Sequence, residues 1–191
     1  MGVVYFTPVC TCLGVANFIF FLLQYQTSWN WQTFAFPTEG ALWYQYVTSM
    51  VLHLNWQHLT NNAFCLFAFG AVLEKKIGAF GFIMIYLISG IGGNFLFSMV
   101  QDGALAIGAS GAIFGIICSM VFTDPKAFVI SPGTPLPLPI LLFAPLYIGN
   151  EVIAMADQGS NIAHAAHVGG GIFGALVGRI WSKSPLQSNS S

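Results

Sequence analysis

The chain has 191 residues, of which 56% are hydrophobic and 6% are Asp, Glu, Lys or Arg, and its mean hydropathy is +0.75. Soluble domains carry about 25% charged residues, so this composition excludes a surface covered by water and points to lipid. Five Lys and Arg against six Asp and Glu leave a formal net charge of −1, which excludes the basic patch a nucleic-acid binder needs.

A membrane-spanning helix takes about 20 mostly apolar residues. Six candidate stretches occur. The first runs from about Phe6 to Leu23; with no basic segment before it, it reads as a span rather than a cleaved signal. The segment Gln24 to Asn55 follows, rich in aromatics (Trp29, Trp31, Phe34, Phe36, Trp43, Tyr44, Tyr46). Such rings favour the headgroup region, so this loop either lies embedded in the interface or forms an ordinary aromatic belt. The second span runs from about Gln57 to Leu73, the third from about Phe80 to Val100, and the fourth from near Ser110 to near Phe122. A connector from Thr123 to Pro137 carries Pro125, Pro132, Pro135 and Pro137. The fifth span covers about Leu138 to Met155 and the sixth about Ile162 to Trp181. The sequence thus reads as one membrane domain, 1–181, and a short polar tail, 182–191, expected to be disordered.

The basic residues fall in three places: Lys75 and Lys76 after span two, Lys126 after span four, Arg179 and Lys183 at the end of span six. With six spans all five lie on one face, which the positive-inside rule makes cytoplasmic, along with both termini. Of the cysteines, Cys65 and Cys118 read as small buried hydrophobes. Cys10 and Cys12 are either packing or a redox or metal pair, although two residues apart on a helix they point to different faces.

Ionisable residues inside spans are functional candidates by default. His53 stands just before span two and His58 at its start, His164 and His167 lie in the first two turns of span six, and Ser110 opens span four, all toward the outer half of the membrane. From Ile162, His167 lies roughly 8 Å down its helix. Span four is short, so Ser110 is expected to be recessed behind an inward-dipping segment. Irregular backbone at that depth requires a protein-lined or watery cavity. Gly170, Gly174 and Gly178 repeat every four residues below His167, and Gly111 and Gly115 follow Ser110. Two such stripes let helix backbones approach closely, which would bring His167 to Ser110. An imidazole within hydrogen-bond reach can turn a serine hydroxyl into a nucleophile. Ser110 also begins a helix, where unpaired N–H groups favour negative charge. His58 and Asn62, four apart on span two, share a face and both donate hydrogen bonds. The bland alternatives are a packing serine, histidines as interfacial anchors, and Asn62 as interhelical glue.

Gly108-Ala109-Ser110-Gly111 with Gly115, Ala166-His167-Val168-Gly169-Gly170 with Gly174, His58-Leu59-Thr60-Asn61-Asn62, Glu74-Lys75-Lys76 with Gly78, and Tyr86-Leu87-Ile88-Ser89-Gly90 occur in that topology. Together they resemble the motifs of the rhomboid intramembrane serine proteases, over nearly the whole chain. The resemblance implies an all-α, six-helix polytopic bundle with a membrane-embedded first loop. It implies a Ser–His dyad without a carboxylate, Ser110 as nucleophile and His167 as general base then acid. His58, Asn62 and the Ser110 N–H would hold the oxyanion. Substrates would be single-pass transmembrane proteins cut near the outer face, with span five and the overlying loop as a gate, no cofactor and no metal. The expected location is a bacterial inner membrane.

The chain departs from the family pattern in three places. Phe114 stands where the family often has Tyr, Tyr44-Gln45 where it has Trp-Arg, and His164 offers a second base. Glu151, in the outer half of span five, would sit in a gate, line the cavity, or mark an early end of the span; the last is the expectation. Two rival readings remain. One is a zinc enzyme built on the histidines, without a His-Glu-x-x-His motif or a carboxylate next to any histidine in sequence. The other is an inactive relative that escorts transmembrane helices.

Overall fold

A computed structural model describes residues 7–26, 28, 30–129, 136–156 and 163–184. Trp29, Pro132, Pro135, the expected start of span six at Ile162 and the tail from 185 onward lie outside the described residues.

Helix α1 (Pro8–Gln26) begins with proline in its first turn, where no N–H is needed. The Glu74 carboxylate accepts the next two N–H groups, Val9 at 3.0 Å and Cys10 at 2.8 Å, and so satisfies donors that would otherwise be orphaned. At the other end Gln24 and His53 form a reciprocal pair: Gln24 Nε2 donates to the His53 carbonyl at 3.0 Å and the His53 N–H to Gln24 Oε1 at 3.2 Å. These two ties set α1 antiparallel to the next long helix.

Between them lie 3₁₀ turns at Trp31–Phe34 and Ser49–Val51, strand β1 (Phe36–Pro37) and the short helix α2 (Gln45–Thr48). Gln45 does the anchoring here. Its Oε1 accepts the Leu42 N–H at 2.7 Å and its Nε2 donates to the Thr33 carbonyl at 3.0 Å.

Helix α3 (Trp56–Cys65) passes through a π-helical turn, Leu66–Gly70, into α4 (Ala71–Val100). At Gly78 the backbone turns to φ 78°, ψ 165°, a conformation open mainly to glycine. The Phe82 ring then lies against Gly70, although a straight helix would separate them by about 18 Å. The chain therefore doubles back at Gly78, between the expected end of span two at about Leu73 and the expected start of span three at about Phe80. Among the described residues Pro8–Gln26 and Trp56–Val100 are long and apolar enough to cross a membrane, while Ser110–Thr123 and Ile140–Ala154 are apolar but shorter. Length and hydropathy alone thus mark two stretches rather than six.

Strand β2 (Leu105–Ala106) precedes α5 (Ser110–Thr123); β3 (Phe128–Val129) and β4 (Leu138–Pro139) precede α6 (Ile140–Ala154), and α7 (His164–Ser182) follows. The chain is mostly helical, as expected, and its connections also carry two short antiparallel strand pairs, β1–β2 and β3–β4. Connecting backbone in an apolar setting must find hydrogen-bond partners, and these short ladders supply them.

Helix α5 is the centre of the bundle, buried continuously from Gly111 to Met120. Outward-facing positions carry large apolar side chains: Phe18 and Ile19 on α1, Leu142 and Leu146 on α6, Ile172 and Leu176 on α7. Soluble monomers rarely expose so much contiguous apolar surface, and acyl chains are the solvent that suits it.

Candidate active site

Helix α5 spans 14 residues, about 21 Å at 1.5 Å per residue, against a hydrocarbon core of about 30 Å. It is therefore too short to reach both faces. The segment before it is pinned rather than loose. Phe36 pairs with Ala106 and Pro37 with Leu105, the Ala104 N–H donates to Thr38 Oγ1 at 3.0 Å, and the Gly108 N–H donates to the Ser49 carbonyl at 2.9 Å. Gly108 has φ +123°, and a Cβ there would collide with the His58 ring.

The glycine stripes meet. A Cβ on Gly170 would strike the Gly111 carbonyl, one on Gly174 the backbone of Gly115, and one on Gly178 would lie 2.8 Å from Ser119 Cα. Backbone therefore touches backbone along α5 and α7. At the top of that seam Ser110 Oγ lies 2.8 Å from His167 Nε2. His164 is not the ring at the serine; its Nδ1 lies 2.6 Å from Glu151 Oε2. The same carboxylate oxygen lies 2.8 Å from His167 Nδ1.

Glu151 corrects two expectations. Helix α6 does not end before it but continues to Ala154, and Glu151 is buried. The carboxylate-free environment expected for His167 is also absent, because Glu151 approaches from a helix distant in sequence. An ionised carboxylate only accepts, so each Nδ1 carries the proton it donates. His167 Nε2 is then left with a lone pair toward the serine hydroxyl. Glu151, His164 and His167 place three donor atoms within 4.8 Å of one another and form the set of described residues that could hold a cation. A metal on His167 Nδ1 would replace the hydrogen bond to Glu151.

Phe114 stacks on the His167 ring at 4.4 Å and 10°, and Tyr147 stacks on Phe114 at 4.5 Å and 4°. Phe143 and Phe69 extend the column at 5.1 and 5.7 Å. Phe114, which stands where the family often has Tyr, thus stacks on the imidazole without a hydroxyl, and the column fixes the plane of the ring.

Asn55 caps α3 by accepting the His58 N–H at 2.8 Å, which sets His58 on the first turn. Its Nδ1 accepts the Leu54 N–H at 3.4 Å, so its proton resides on Nε2, at the edge of the ring that faces Gly108. Asn62 Nδ2 is buried without a hydrogen-bond partner. A buried donor left unpaired costs free energy and in a site commonly awaits an acceptor. His53 is also buried, its ring edge-on to His58 at 5.2 Å. Burial, with His58 adding to it, pushes the His53 imidazole down to about 4, so it is neutral at pH 7.

These groups face a cavity of about 550 Å³, lined among others by His58, Asn62, Ser110, Tyr147, Glu151 and His167. Sequence reasoning missed Tyr147 and the position of Glu151. The signal available was the acid itself, because a carboxylate inside an apolar helix calls for a partner.

A helical membrane protein with a serine hydrogen-bonded to an imidazole inside a cavity, beside a buried unpaired amide donor, is the class that this fold and site define. The Rhomboid domain profile matches residues 40–184, and the chain belongs to the rhomboid family. It is 32% identical over 161 residues to Rhomboid-like protein 11, chloroplastic, of Arabidopsis thaliana, covering 76% of this chain and 55% of that protein. It is 33% identical over 156 residues to Rhomboid protease AarA of Providencia stuartii, covering 71% and 54%. It is 33% identical over 147 residues to Rhomboid protease GluP of Bacillus subtilis (strain 168), covering 75% and 26%. The chain spans about half the length of the first two relatives and about a quarter of the third.

Proposed function

We propose that this protein is an intramembrane serine endopeptidase that cuts transmembrane segments of membrane-protein substrates near the outer face. The observation that carries the reading is the 2.8 Å contact between Ser110 Oγ and His167 Nε2, set in a cavity and braced by helix backbones in contact. As Ser110 Oγ bonds to the scissile carbonyl carbon, its proton passes to His167 Nε2. The carbonyl oxygen takes the negative charge, with His58 Nε2, Asn62 Nδ2 and the Ser110 N–H as donors. Collapse expels the amine, which takes the proton from His167, and leaves an acyl-enzyme. Water then attacks the ester, gives its proton to His167, and Ser110 recovers it on leaving.

The reading extends to six membrane crossings with both termini cytoplasmic. Two features support it: the partition of all five basic residues, and the link of the α1 N-terminus to Glu74, next to Lys75 and Lys76. It also includes the embedded first loop, single-pass substrates, the membrane domain over 1–181 with its tail, and a bacterial inner membrane.

Purified protein in liposomes with a transmembrane substrate tests it. Ser110→Ala and His167→Ala should abolish cleavage, and a fluorophosphonate should label Ser110. Cleavage by either variant at the parent rate would sink the assignment. A zinc-dependent reading has the Glu151–His164–His167 donor set in its favour; it predicts loss of activity with a chelator, whereas the serine mechanism predicts none.

A further inference from the structure

We propose that Glu151 is a positioning residue for the base, so that the site works as Ser110–His167–Glu151, with His164 steadying the carboxylate. This rests on the proposed protease reading. The three groups form one chain of contacts: Ser110 Oγ to His167 Nε2 at 2.8 Å, His167 Nδ1 to Glu151 Oε2 at 2.8 Å, and His164 Nδ1 to the same oxygen at 2.6 Å.

The alternative is that Glu151 merely ties α6 to α7, and two features argue against it. A carboxylate is an expensive tie inside an apolar helix, where such groups usually mark function, and α6 and α7 already pack closely without it. Gly171 of α7 admits the Ile148 side chain of α6, a Cβ there lying 3.1 Å from Cys118 Sγ and 2.5 Å from Ile148 Cδ1. The carboxylate is also aimed at the one nitrogen that decides which tautomer His167 adopts. By accepting the Nδ1 proton it keeps Nε2 free for Ser110, and it faces the imidazolium that forms when Nε2 takes the serine proton. Glu151 does not itself take that proton. His164 donates to the same oxygen and so limits rotation of the carboxylate.

The test uses the full-length protein in liposomes, with rates normalised to the folded fraction. Glu151→Gln keeps the shape, but its amide can donate to Nδ1 and hold the wrong tautomer. It should lower kcat by ~10²-fold or more, the direction seen when a triad carboxylate becomes an amide, with KM within about threefold. Glu151→Ala should regain activity with added formate but not with formamide. His164→Ala should lose less than about tenfold, since it acts only on the carboxylate. A Glu151→Gln kcat within about threefold of the parent, with Ser110→Ala inactive, overturns the proposal and leaves the protease reading intact. If Ser110→Ala is active, the protease reading fails instead. Should Glu151→Gln not fold, Glu151→Asp takes its place; failure of both to fold makes the carboxylate structural and overturns the proposal.

Discussion

Gly170 of α7 lies directly against the carbonyl of Gly111 in α5, with no space between them for a methyl group. That contact, repeated at Gly174 and Gly115, sets the distance between Ser110 and His167, because each side chain is carried one turn or less from the seam.

Gly170→Ala should therefore force the two helices apart. Overpacking of a tight core costs ~1–3 kcal/mol, and here the obstacle is backbone that cannot rotate away. The thermal midpoint in detergent should drop and fluorophosphonate labelling of Ser110 should slow at least tenfold (~1.4 kcal/mol). Gly149→Ala is the control: a Cβ there meets nothing within 4 Å, and helix propensity favours alanine by ~0.5–1 kcal/mol. Equal effects from both changes would contradict this account of the seam.

The ring column offers a second measurement. Stacking of aromatic pairs contributes ~0.5–1.5 kcal/mol, so Phe114→Ala should reduce kcat by roughly 2- to 12-fold. Phe114→Tyr keeps the stack and should stay close to the parent. A Phe114→Tyr defect as large as that of Phe114→Ala would mean that the face of the ring is not what matters.

Asn62 holds a buried donor with no partner in the resting site. Asn62→Ala should leave substrate affinity near normal and lower kcat by ~10²–10³-fold, the usual range for loss of one oxyanion donor. His58→Ala should act in the same direction. If KM rises while kcat holds, these side chains bind the ground state instead.

His53 predicts an acid sensitivity of the fold. Its folded-state value, about 4, lies below the ordinary 6.5, so the unfolded chain takes up the proton first as the pH falls. Stability is full above pH 6.5 and is lost as the pH drops through 4. The thermal midpoint should fall between pH 7.5 and pH 5, and His53→Asn should make that fall smaller. An unchanged fall in the variant would show that other groups cause it.

Much of this site was legible because its signals are local. Gly170, Gly174 and Gly178 announce a face by their spacing, and Ser110 and His167 each stand at the head of such a stripe. The places where sequence reasoning failed involve contacts between distant segments. Nothing on α6 itself reveals that Glu151 will meet two imidazoles of α7, since the partner of a lone acid is decided by how helices pack. Gln45 read only as a departure from the family's Trp-Arg pair, because its bonds to Leu42 and Thr33 go to main-chain groups that carry no sequence signature. The turn at Gly78, by contrast, was marked in the sequence, because Glu74, Lys75 and Lys76 interrupt the apolar run between spans two and three.

The strand pair β1–β2 links the aromatic first loop to the segment that leads into Ser110, and the glycine seam joins α5 to α7. Loop, serine and imidazole thus belong to one stiff frame, whereas Glu151 rides on α6. A tilt of α6 away from α7 would widen the cavity and, in the same stroke, withdraw the carboxylate from His167. Entry and readiness would then be opposed settings of a single helix, so that an open doorway faces an idle base.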